Sequence, residues 1–73
     1  MIQNPDVASQ ISSLMLEVSE RVNESMRLVQ AECSDEEFKK YRLAAGSIPG
    51  YAYTDVLVSL YDEHPDRRPE GMP

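Results

Sequence analysis

The chain has 73 residues, one cysteine, one histidine and a formal charge of −6, with 13 acidic side chains against 7 lysines and arginines. Such a length allows one small domain with a marginal core; with no internal disulfide and too few Cys and His for a zinc site, oligomerisation remains to brace it. The acidic balance excludes the basic footprint of a nucleic-acid binder and docking on anionic membrane, and no stretch nears the ~18 apolar residues of a membrane span.

The opening residues, Met1 to Asp6, lack the basic and apolar regions of a signal peptide, so a cytoplasmic location is expected. Asn4-Pro5-Asp6 is a helix start: Asn4 caps free N–H groups, Pro5 suits the first helical position, and Asp6 complements the positive end of the dipole. Val7, Ile11, Leu14, Met15, Val18, Val22, Met26, Val29 and Cys33 then recur at steps of mostly three and four. That period predicts an amphipathic helix over 5–33, with Ser12, Ser13, Glu17, Ser19, Glu20, Asn23, Glu24, Arg27 and Gln30 facing out. Glu17 with Arg21 and Glu24 with Arg27 are the expected surface pairs. Ser25 falls on the stripe, where it either admits a close neighbour or bonds back to its own helix. Leu28 lies off the stripe and is a candidate for a secondary contact.

Past Cys33 the apolar face stops, and Ser34-Asp35-Glu36-Glu37 supplies a capping box. A second helix is predicted over 35–45, with Phe38, Tyr41 and Ala45 on one face and Gly46 as a left-handed stop. Residues 46–50 carry two glycines and a proline and are expected to be a turn. A third helix is predicted over 51–63, burying Tyr53, Val56, Leu57 and Leu60, with Tyr51 and Tyr61 at the edge of that face; Pro65 ends it. The expected organisation is one helical domain over 1–64 and an extended tail over 65–73.

At about 1.5 Å per residue the first helix is roughly 40 Å long, and each of the other two is less than half that. Folded back along the stripe, they leave part of it uncovered. The expected fold is therefore all-α: a long N-terminal amphipathic helix plus two short helices, completed as a helical-bundle homo-oligomer, most simply a dimer. Ile11, Leu14, Val18, Val22 and Val29 are the expected oligomer core.

Chemistry is harder to assemble. Cys33 sits beside Glu32 and Asp35 at a helix C-terminus, without the electropositive surroundings of a reactive thiol, and is expected to be a small apolar residue of the stripe. His64 is expected to end a helix among Asp62, Glu63 and Asp66. No calcium-loop, dinucleotide or P-loop pattern occurs, and the basic run Lys39-Lys40-Tyr41-Arg42 is offset by Asp35, Glu36 and Glu37. No catalytic, cofactor-binding or metal-ligating residue is predicted, no cofactor is implied, and the chain is not expected to be an enzyme.

The expected function is that of a small acidic self-associating adaptor or regulator. It would bind itself and another protein, with Leu28, Tyr51 and Tyr61 as candidate partner-binding residues. The alternative is an acidic inhibitor or antitoxin-like protein whose Glu17, Glu20, Glu24, Glu36 and Glu37 block a basic site. Arg21, Arg27, Lys39 and Lys40 interrupt those carboxylates, which favours the adaptor.

Overall fold

Helix α1 (Pro5–Glu32) runs the length of the molecule, which measures 44 × 20 × 16 Å in a computed structural model that describes residues 1–69. Its start follows from Asn4, whose Oδ1 accepts the N–H groups of Asp6 (2.9 Å) and Val7 (3.2 Å). It stops where Cys33 turns extended, and Ser34 at once caps α2 (Asp35–Ala45). The Glu37 N–H donates to Ser34 Oγ (3.1 Å) and the Ser34 N–H to Glu37 Oε1 (3.3 Å), a complete capping box. The chain then returns as α3 (Ser47–Tyr51), a π-helical segment (Ala52–Leu57), α4 (Val58–Glu63) and a 3₁₀ turn (Pro65–Arg67). All the described secondary structure is helical, in two layers: α1 below, and a bent arm above it.

Residues 46–50 are not the open turn that their glycines and proline suggest. Gly46 is right-handed (φ −63°, ψ −21°), not left-handed, and leads directly into α3. Pro49 is the third residue of that helix, where a backbone N–H has no helical partner to lose, so it is tolerated there. Gly46 is required for a different reason: a Cβ on it would lie 2.5 Å from the Arg42 carbonyl oxygen, which its own N–H already meets at 2.9 Å. Gly46→Ala should therefore cost about 1–3 kcal/mol through overpacking. Gly50→Ala should stabilise by about 0.5–1 kcal/mol, because Gly50 is helical and a Cβ there meets nothing within 4 Å. Urea titration of the two variants checks the opposite signs.

The enclosed core is small: Ala8, Ala45, Ala52, Leu57, Leu60 and Tyr61, of which the last three are the large, fully buried side chains. Ser12, predicted to face solvent, is buried and hydrogen-bonded to the Tyr61 hydroxyl, so Tyr61 belongs to the core and not to the edge. At the other end of the arm Ser25 Oγ donates to the Val22 carbonyl (2.7 Å), which leaves the Tyr41 hydroxyl to donate to Ser25 (2.7 Å). The inner face of α1 is thus rotated towards Ala8 and Ser12, while Val7 and Leu14 are 41% and 47% exposed. Arg21 pairs with Glu24 (3.9 Å) on the outer face, an exposed contact worth at most about 1 kcal/mol.

The N-terminal residues are tied to the end of α4. Glu63 accepts from the Met1 ammonium and from the Ile2 N–H (3.1 Å), and His64 Nε2–H donates to the Ile2 carbonyl. Arg67 donates to Ser9 Oγ (2.8 Å) and the Arg68 guanidinium lies 5.9 Å from the centre of the Tyr61 ring. Residues 65–67 therefore lie against α1; residues 70–73 of the expected tail fall outside the described residues. The hydrogen bond from the Met1 ammonium, aided by its charge and by the Ile2 N–H, holds the Glu63 carboxyl below its ordinary value against a smaller opposing effect of burial. A depressed folded value means that this tether is intact above the ordinary glutamate range and is lost as pH falls through the lower, folded value. The Ile2 amide resonance, followed by NMR on acidification, should report that release, and in Glu63→Gln it should show no such step.

Candidate functional site

Beside Val18 the two layers part. α1 contributes Met15 and Val18, and the returning arm contributes Ser47, Ile48, Tyr51, Ala52 and Val56, around an open groove of about 390 Å³. The local sequence explains its shape. Pro49 forces the arm to restart after α2, and the wide π-helical turn carries Ala52 inward while Tyr51, 69% exposed, stands at the rim. Ile48 is 45% exposed. The lining has no titratable group apart from the Tyr51 phenol, and the Ser47 hydroxyl is already spent on the Ala44 carbonyl (3.1 Å). No carboxylate, amine, imidazole or thiol stands beside those two hydroxyls in the lining. What the groove can do is remove apolar surface from water.

The polar candidates are scattered. Cys33 is exposed at the C-terminal end of α1 and does not pack on the stripe, whereas His64 is bonded to Ile2 at the N-terminal end. The 28 residues of α1 separate the two by about 40 Å, so they cannot act together. Among the described residues no three His, Cys, Asp or Glu side chains converge to hold a metal ion, and no helix is long and apolar enough to cross a membrane.

Ile11, Val18, Val22 and Val29, expected in the oligomer core, are half-buried, and Leu14 is exposed. Of the three candidate partner-binding residues, Tyr51 is on the groove rim and Leu28 is 63% exposed elsewhere on α1, while Tyr61, 1% exposed, offers no surface to a partner. No family model, curated protein or solved structure matches this chain. Sequence reasoning missed Met15, Ile48, Ala52 and Val56 as groove residues. Met15 and Val56 stood on the expected apolar faces of their helices, and Ile48 and Ala52 lie in or beside a glycine-proline stretch that was expected to be a connector.

Proposed function

We propose that this chain is a cytoplasmic, non-enzymatic, self-associating protein-interaction adaptor, and that the groove between α1 and α3 is its contact surface. The groove itself is the supporting observation: an apolar concavity, with an exposed tyrosine and an exposed isoleucine at the rim, on a chain this small. Covering it removes Ile48 and Tyr51 from water, and Tyr51 keeps a hydroxyl with which to bond a partner. The charged side chains lie off the groove, so association through it depends little on salt. Capture of a protein partner from native cells should therefore survive high salt and be lost with Ile48→Asp. Capture that collapses in salt and ignores Ile48→Asp would favour the acidic-inhibitor reading, and no capture at either salt would refute both.

A further inference from the structure

The arm crosses α1 on a diagonal. Tyr61 bonds Ser12 and Tyr41 bonds Ser25, yet at 100° per residue those two serines lie about 140° apart around α1. A diagonal crossing leaves two flanks of α1 uncovered, one at each end. Towards the C-terminal end the bare flank carries Asn23 and Gln30, which need no cover. Towards the N-terminal end it carries Val7, Ile11, Leu14 and Val18. Val7 and Leu14 are exposed, Ile11 and Val18 are half-buried, and Val18 is shared with the groove.

Those four residues follow steps of four, three and four, the a/d spacing of a two-helix seam. The seam stops where it must: the next places are Arg21 and Ser25, and at Ser25 Tyr41 of α2 takes over the flank. We propose that a second copy of this chain covers this seam, its α1 packed antiparallel on the first, with Val7 opposite the partner's Val18 and Ile11 opposite the partner's Leu14. This deepens the self-association proposed above and rests on it.

Orientation follows from the edges of the seam. One edge carries Ala8, Met15 and Val22, which face the chain's own arm, and the other carries Gln10, Glu17 and Glu24. A parallel pair would press each second edge onto the partner's first edge, which the arm already occupies. An antiparallel pair sets like edges together, so both arms lie on one side as in a four-helix bundle. In this register Glu17 meets the partner's Gln10 and no carboxylates confront each other.

Light scattering at micromolar concentration, with a spin label on Cys33, tests this. Cys33 is the chain's single cysteine and is exposed. The expected mass is twice 8.3 kDa, and the two labels should stand about 60 Å apart at ~1.5 Å per residue. Leu14→Asp, at a position 47% exposed within the chain, should halve the mass and keep its helicity, as should Val7→Lys; Leu43→Asp, 79% exposed on α2, should leave the dimer intact. A wild-type mass of 8.3 kDa, leaving the seam to some other protein, overturns the seam and self-association together. A dimer that survives Leu14→Asp and Val7→Lys overturns the seam alone. Labels within ~20 Å overturn the antiparallel arrangement.

Discussion

Tyr61→Ala should lower the unfolding free energy by about 3–5 kcal/mol, the range for truncating a buried aromatic. A domain of this length holds only about 4–11 kcal/mol in total, so the variant should lose roughly a quarter or more of it. Tyr61 is one of three large side chains that the fold fully encloses, and its hydroxyl is the partner of buried Ser12. The same contact gives a sharper test. Tyr61→Phe and Ser12→Ala each strand one buried hydroxyl, at about 1–3 kcal/mol, whereas the double variant strands none and should cost less than the sum. Urea midpoints for the two singles and the double measure the difference. Strict additivity would mean that the hydroxyls do not pair.

Leu60→Asp should abolish cooperative folding. Leu60 is 0% exposed, and an unpaired carboxylate at such a site costs several kcal/mol, comparable to everything that holds the domain together. Far-ultraviolet circular dichroism should show a large loss of helix and no thermal transition. Leu43→Asp, 79% exposed on α2, should stay within about 0.5 kcal/mol of the parent. A native-like melt for Leu60→Asp would sink the account of the core.

Local signals in the sequence were legible because their causes are local. Asn4-Pro5-Asp6 and Ser34-Asp35-Glu36-Glu37 act through hydrogen bonds that span two or three residues, and both helix starts lie where those residues place them. Which side of α1 faces inward was not legible, since it depends on Ser12 meeting Tyr61, 49 residues away. A serine counts as outward-facing until its distant partner is known. The arm escaped for a related reason: an ordinary helical period running back from Leu57 passes through Tyr53, and only the wider π-helical turn lets Ala52, five residues before Leu57, share its side. The groove depends on that turn and on the restart at Pro49, so its lining residues had no common period to betray them.

The large, fully enclosed side chains lie towards one end of a 44 Å molecule. Leu57, Leu60 and Tyr61 close over Ala8 and Ser12, whereas near the other end Phe38 and Tyr41 are half-covered and Leu28 and Cys33 are bare. Amide protons exchanging with deuterated water will register this gradient. Those of 57–61 and of 8–12 in α1 should be released only when the whole domain opens, while those of 23–44 should escape through local fraying at lower free energy. One end should act as an anchor, while the other should open and reclose many times within the lifetime of the folded state.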